Sequence, residues 1–128
     1  MAHIPIEAVP HLESAIYLPM LITILERDCR FIEQGPFKLK RPYLHLIEEA
    51  KRLAMSDLQE AKSYLKRRFL KVERGGSDDL FTEYRFYYKH VMEVRRYSNI
   101  RLRNRVEELL NLYLTKASNP SLEVVEKT

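Results

Sequence analysis

Residues 69–90, with the sequence FLKVERGGSDDLFTEYRFYYKH, constrain the fold of this chain more than any other stretch. They contain the adjacent glycines Gly75 and Gly76 and the densest group of aromatic residues in the chain. A cluster of Gly, Ser and Asp ends regular secondary structure. The helical pattern that precedes this stretch is therefore expected to stop here.

Two runs on either side of the glycines, residues 70–74 and 80–89, are rich in the β-branched and aromatic residues that favour strands. Side chains alternate between the two faces of a strand. One face of the second run would therefore carry Leu80, Thr82, Tyr84, Phe86 and Tyr88. We predict a β-hairpin in which Leu70 and Val72 pair with this apolar face. A hairpin alone is only marginally stable, so a helix is expected to pack against it.

A helix is the alternative for the second run, because apolar residues also recur there at helical spacing. These residues are Phe81, Tyr84, Tyr88, Val91 and Met92. We favour the hairpin because Phe, Tyr, Thr and Val form strands more readily than helices. Residues 90–97 are expected to form a connector or a helical turn.

The clearest helix follows a short basic connector at residues 37–41, and Pro42 fits its first helical position. From there, apolar residues recur every three or four positions. They are Leu44, Ile47, Ala50, Ala54, Leu58, Ala61, Leu65 and Phe69. This seam predicts a long second helix that is buried along one face. It also argues against a winged-helix arrangement, which would need a turn near Ser56-Asp57.

A first helix is predicted to begin near His11, after an extended arm over residues 1–10. Pro19 would either kink this helix or start a new first turn. Gly35-Pro36 ends it.

A last helix is predicted after a cap at Ser98 or Asn99, with its apolar residues between Leu102 and Leu114 facing inward. Residues 119–128 are expected to form a frayed tail. Residues 1–128 therefore make one α+β domain that is mostly helical: a kinked N-terminal helix, a long second helix, a β-hairpin and a C-terminal helix.

Cysteine usage and hydropathy indicate a cytoplasmic protein. The single cysteine, Cys29, has no partner for an internal disulfide and is expected to be a buried thiol, not a nucleophile. The apolar run Ala15–Leu25 is shorter than the roughly 20 residues that span a bilayer. We therefore expect no membrane association.

No pattern of catalytic or metal-binding residues is recognisable. The four histidines, His3, His11, His45 and His90, lack the spacing of metal ligands. A Gly-rich phosphate loop and a nucleophile motif are also absent from the sequence. We therefore predict no metal, no cofactor and no enzymatic activity.

Positive charge is concentrated in one segment. Residues 62–105 contain 13 basic and 5 acidic residues, a balance of +8 in a chain whose net charge is +4. The candidate phosphate-binding residues are Lys62, Lys66, Arg67, Arg68, Arg95, Arg96, Arg101, Arg103 and Arg105. They would form one surface if the hairpin brings the helix ends together, with Tyr87 or Tyr97 nearby for stacking. The alternative is a solvated basic face that is partly paired with glutamates.

Four short segments resemble a known family. They are Tyr17-Leu18-Pro19-Met20, Leu25-Glu26-Arg27-Asp28, Phe81-Thr82-Glu83-Tyr84 and Ile100-Arg101-Leu102-Arg103-Asn104-Arg105-Val106. The chain is similar in these segments to small uncharacterised YhjD-like proteins of Bacillus-type bacteria, and the similarity covers roughly residues 15–115. The resemblance implies a bacterial cytosolic protein and supplies no catalytic residues.

Two functions follow as hypotheses. The first is a non-enzymatic cytosolic interaction or regulatory module that binds a protein partner, or forms a homodimer through surplus aromatic surface. The alternative is a nucleic-acid-binding protein that uses the basic residues at the end of the second helix, on the hairpin and at the start of the last helix.

Overall fold

The chain folds into three helices and a three-stranded antiparallel sheet, in a computed structural model that describes residues 3–119. The elements are α1 (Val9–Gln34), α2 (Arg41–Arg67), β1 (Leu70–Ser77), β2 (Phe81–Tyr88), β3 (Val91–Ser98) and α3 (Asn99–Ser118). The predicted mostly helical α+β fold is confirmed. α2 runs without a break, so the turn that a winged helix needs is not present in it.

The hairpin prediction is confirmed, and the helical alternative for residues 80–97 is wrong. β1 and β2 pair antiparallel with Leu70 opposite Tyr88 and Val72 opposite Phe86. Side chains at alternate positions of β2, from Thr82 to Phe86, are buried against the helices. The prediction fails only for Leu80, which precedes β2 and is 66% exposed.

A third strand replaces the predicted connector at residues 90–97. β3 pairs with β2 along its whole length, from Tyr88 opposite Val91 to Phe81 opposite Ser98. This strand lacks the usual alternation of apolar and polar residues, because its inward positions include the charged Glu93 and Arg95. A two-residue turn precedes it, and Lys89 supplies the positive φ of 55° where glycine or asparagine usually signals a turn.

The glycine pair has a different role from the predicted one. α2 ends at Arg67, where Phe69 adopts a positive φ of 57°, so the apolar seam stops at Leu65 and Phe69 is 77% exposed. Gly75 and Gly76 lie within β1 at a bulge, and neither has a positive φ. Gly75 suits this place because a Cβ there would lie 3.1 Å from Oε2 of Glu83.

The N-terminal segment is more ordered than an extended arm. Residues Ile6–Ala8 form a 3-10 turn, α1 already begins at Val9, and Ile4 and Ala8 are buried. The prediction of an extended arm over residues 1–10 is therefore wrong from Ile6 onward. Residues 1, 2 and 120–128 lie outside the described residues, and so does the predicted tail apart from Asn119.

α1 is one helix with Pro19 in its interior, so the prediction of a new first turn at Pro19 is wrong, while the kink stays a prediction. Together with the preceding turn, residues Ile6–Gln34 are long and apolar enough to cross a membrane. Core helices of soluble proteins meet the same test, and α1 packs against α2, α3 and β1 in this structure.

One hydrophobic core joins the helices to the inner face of the sheet. Its largest fully buried side chains are Leu12, Leu21, Leu25 and Phe86. Burying each of them contributes roughly 1.5 to 3 kcal/mol before the loss of chain entropy is subtracted. Because α1 supplies three of these four side chains, it is the central helix of the core.

Candidate phosphate-binding surface

The junction of β3 and α3 positions the basic residues that lie on either side of it. β3 ends at Ser98 and α3 begins at Asn99, with no linker between them. Ser98 caps the helix, because its Oγ accepts a hydrogen bond from the backbone N–H of Arg101 at 3.3 Å. The arginines of β3 and those of the first turns of α3 are therefore held on connected, regular elements.

Asn99 ties this junction to the β1–β2 turn. Its backbone N–H donates to the carbonyl oxygen of Leu80 at 2.8 Å, and its side-chain Nδ2 donates to the carbonyl oxygen of Asp78 at 2.8 Å. Its Oδ1 accepts a hydrogen bond from the hydroxyl of Thr82 at 2.6 Å. The sequence pattern predicts only a possible capping role for Asn99 and gives no sign of these contacts.

Four of the nine predicted residues surround one concave surface of about 900 Å³. These four, the arginine cluster, are Arg95, Arg96, Arg101 and Arg105. Phe81 and Tyr97 lie beside them, and the acidic residues of the lining are Glu13 and Glu108. Four cations against two carboxylates give this surface a positive balance. It also lies at the start of α3, where the helix dipole favours anions.

The members of the cluster differ in how they are paired. Nη2 of Arg95 lies 3.1 Å from Oε2 of Glu93, and Nη1 of Arg105 lies 3.0 Å from Oε2 of Glu108. The guanidinium of Arg96 lies 4.4 Å from the centre of the Phe81 ring. Within residues 3–119, neither Arg96 nor Arg101 forms an ion pair with a carboxylate.

The other five predicted residues lie elsewhere. Arg67 lines a second groove of about 1020 Å³, which Arg105 also lines, so it borders the cluster. Lys62 and Lys66 line a third groove beside β1, and Arg103 lines a cleft between α1, α3 and the sheet. Arg68 stacks on Tyr64 at 3.8 Å from the ring centre. The structure therefore brings four of the nine residues to one concave surface, and Arg67 borders it through the groove that it shares with Arg105.

Comparison with known proteins identifies the family. The sequence model of the YhjD protein family matches residues 3–118. The chain belongs to the YhjD family. The family resemblance in the sequence is thereby confirmed. The "Uncharacterized protein YhjD" of Bacillus subtilis (strain 168) is 42% identical to this chain over 103 residues, which are 80% of this chain and 86% of the relative. No solved structure matches.

Two tyrosine–carboxylate pairs flank the grooves. The hydroxyl of Tyr97 donates to Oε2 of Glu13 at 3.0 Å, and the hydroxyl of Tyr113 donates to Oδ2 of Asp57. Burial raises the pKa of both tyrosines, and the neighbouring carboxylates raise it further. Both phenols therefore stay protonated at neutral pH.

These pairs were missed because nothing local signals them. Glu13 and Tyr97 are far apart in the sequence, and so are Asp57 and Tyr113. The periodicity of α3 correctly predicts that Tyr113 faces inward, but it gives no partner for the hydroxyl. Only the packing of the helices brings the two groups of each pair together.

Cys29 is half-buried, and burial raises the pKa of its thiol, with a further contribution from Glu48. The thiolate is the nucleophilic form of cysteine, so this environment disfavours nucleophilic chemistry at neutral pH. Among residues 3–119, no group of three or more His, Cys, Asp or Glu side chains is arranged to hold a metal ion.

Proposed function

We propose that this protein is a non-enzymatic interaction module whose arginine cluster binds the phosphate backbone of a single-stranded nucleic acid. The observation that carries the proposal is the arrangement of Arg95, Arg96, Arg101 and Arg105 around one concave surface beside two aromatic rings. Clustered cations next to aromatic side chains are the usual composition of such sites.

The pairing of the arginines supports a phosphate ligand. Arg96 lies over the Phe81 ring and opposite Glu83 in the β2–β3 pair, and Arg101 lines the concave surface; among the described residues neither forms a salt bridge. Each can therefore bind a phosphate without first breaking a salt bridge with a carboxylate. Guanidinium groups also bind phosphate through two parallel hydrogen bonds.

The aromatic residues support a single strand more than a duplex. Phe81 lies on the outer face of β2 and is 36% exposed, and Tyr87 lies on the same face of this strand. A base can stack on such a ring only when it is not already stacked within a duplex. A strand bound at the arginine cluster would pass directly onto this outer face.

The non-enzymatic part of the proposal is supported by the lack of an activated nucleophile among three reactive side chains. The pKa values of Tyr97, Tyr113 and Cys29 are raised and not lowered, so none of them is activated as a phenolate or thiolate at neutral pH. Phenolate and thiolate are the forms that act as nucleophiles and bases.

Fluorescence anisotropy with labelled single-stranded oligonucleotides of mixed sequence, over a series of salt concentrations, tests the proposal. Four phosphate contacts on a single strand predict that log K falls with log salt with a slope of about −3. The double variant Arg96→Ala and Arg101→Ala removes two contacts, so the slope should become shallower by about 1.4. The duplex of the same sequence should bind more weakly.

The double variant Lys38→Ala and Arg41→Ala is the matched control. It removes the same charge from the α1–α2 connector and the first residue of α2, and neither residue lines the concave surface of the arginine cluster. It should leave the slope unchanged. If the wild-type protein binds no oligonucleotide at low salt, or if both double variants weaken binding equally, the arginine cluster is not a nucleic-acid site.

A further inference from the structure

β3 is an edge strand with an open side. In the described range, the sheet has the order β1-β2-β3, so β3 pairs with β2 on one side only. The other side presents a row of unpaired backbone donors and acceptors, which is a template for another strand. We propose that β3 pairs antiparallel with β3 of a second copy of this chain, with Val94 of each copy on the two-fold axis.

The charges of β3 decide which strand can pair with it. Glu93 lies opposite Phe86 and Arg95 lies opposite Tyr84, so both charged residues are on the inner face of the sheet. Their side chains are 34% and 36% exposed, which shows that the helices cover this edge only partly. Inward-pointing charges normally prevent an edge strand from pairing. A partner strand must therefore supply matching charges.

A second copy of β3 supplies them in one register. When Val94 faces Val94, Glu93 lies opposite Arg95 of the second copy, and Arg95 lies opposite its Glu93. Centring the pair on Glu93 would place two carboxylates opposite each other, and centring it on Arg95 would oppose two guanidinium groups. Like charges directly opposite are destabilising. The order of charges along β3 thus favours the register centred on Val94. It disfavours the registers centred on Glu93 and on Arg95, which also place inner-face residues opposite inner-face residues.

The outer face agrees with this register. Val94 is 49% exposed and Met92 is 51% exposed. The two Val94 side chains would cover each other, and each Met92 would lie against the aliphatic part of Arg96 of the other copy. The result is a continuous six-stranded sheet whose outer face stays open. The dimer does not depend on the proposed nucleic-acid binding.

Disulfide cross-linking tests the register. In a Cys29→Ser background, Val94→Cys should form a covalent dimer under mild oxidation, because paired Cα atoms are roughly 4.5 to 5.5 Å apart. Arg96→Cys is the matched control on the same face of the same strand. The two copies of residue 96 would be about 13 Å apart along the strands, too far for a disulfide. Equal cross-linking of both variants, or none for Val94→Cys, overturns the proposal.

Charge exchange tests the pairing independently. Glu93→Arg and Arg95→Glu should each weaken the dimer at least tenfold in sedimentation velocity over a concentration series, because each places like charges opposite each other. The double variant Glu93→Arg and Arg95→Glu restores opposite charges in the same register and should recover the dimer. A wild-type protein that stays monomeric at all concentrations, or a double variant as weak as the single ones, overturns the proposal.

Discussion

Phe69 occupies a backbone position where glycine is the usual residue. It follows the end of α2 with a φ of 57°, the left-handed conformation that commonly ends a helix. A bulky side chain is strained there, at a cost of roughly 1 kcal/mol. Its ring is 77% exposed, so little burial offsets this cost. The helix therefore ends here because tertiary packing requires the chain to turn into β1, and not because the local sequence favours it.

Phe69→Gly is expected to raise the free energy of unfolding by about 1 kcal/mol, since it relieves the strain and removes almost no buried surface. Urea unfolding measures this change. Lys66→Gly, in the last helical turn, is the control and should lower the free energy of unfolding by about 1 kcal/mol. A destabilised Phe69→Gly variant would show that the ring contributes more than its exposure indicates.

The β3–α3 junction is the element that places the arginine cluster. Asn99 joins it to the β1–β2 turn, where one carboxylate oxygen of Asp78 accepts the backbone N–H groups of Leu80 and Phe81, both at 2.8 Å. Thr82, which donates to Asn99, is only 6% exposed. This small polar network fixes the angle at which β3 leads into α3.

A double-mutant cycle tests this network. Asn99→Ala leaves the buried hydroxyl of Thr82 without its partner and is expected to cost about 2 kcal/mol. Thr82→Val should cost less, about 1 kcal/mol, because Asn99 can still be solvated. The double variant should cost less than the sum, with a coupling of about 1 kcal/mol in urea unfolding. Strict additivity would mean that the two side chains do not act together.

At the scale of the whole molecule, two tyrosines link the layers. The hydrogen bond from Tyr97 to Glu13 joins the sheet to α1, and the one from Tyr113 to Asp57 joins α3 to α2. Burial and the adjacent carboxylates raise the pKa of both tyrosines above the ordinary value of 10.0. The folded state thus holds these protons more tightly than the unfolded chain does.

This difference predicts alkaline unfolding. The contribution of the two tyrosines to stability is fully present below about pH 10 and is lost as the pH rises, because the unfolded chain releases its protons first. The variant Tyr97→Phe and Tyr113→Phe should be less stable at neutral pH, by about 1 kcal/mol or more for each lost bond. Its stability should fall less steeply above about pH 10 than that of the wild type.

Urea unfolding midpoints between about pH 8 and pH 11 measure the effect. Tyr43→Phe is the control, because Tyr43 is 52% exposed and its ring packs beside Phe37. It should follow the wild-type pH dependence. If the double variant also follows it, Tyr97 and Tyr113 do not govern alkaline unfolding.

The proposed dimer and the proposed nucleic-acid site share residues of β3. In the register centred on Val94, Arg95 lies opposite Glu93 of the second copy, and Arg96 lies against its Met92. Pairing at β3 therefore engages two members of each arginine cluster. Arg101 and Arg105, which belong to α3, stay outside the paired strands.

The amino-acid sequence alone predicted the helices and the first hairpin, because their signals are local. Two periodic patterns carry these signals, the apolar seam from Leu44 to Leu65 and the alternation from Thr82 to Phe86. Both can be read along the sequence without knowledge of tertiary contacts. The family was also recognisable from short segments. The bulge at Gly75 and the helix end at Phe69 were predicted incorrectly, because tertiary packing overrode the usual glycine signal.

Only the tertiary structure decided β3 and the arrangement of the basic residues. A short edge strand with Glu93 and Arg95 on its inner face has no apolar alternation, so it becomes a strand only because β2 offers it a partner. The convergence of Arg95 and Arg105, and the separation of Lys62 and Arg103 from them, depend on where α3 packs. Charge per segment can be counted along a sequence, but charge per surface is set by contacts between residues distant in the chain.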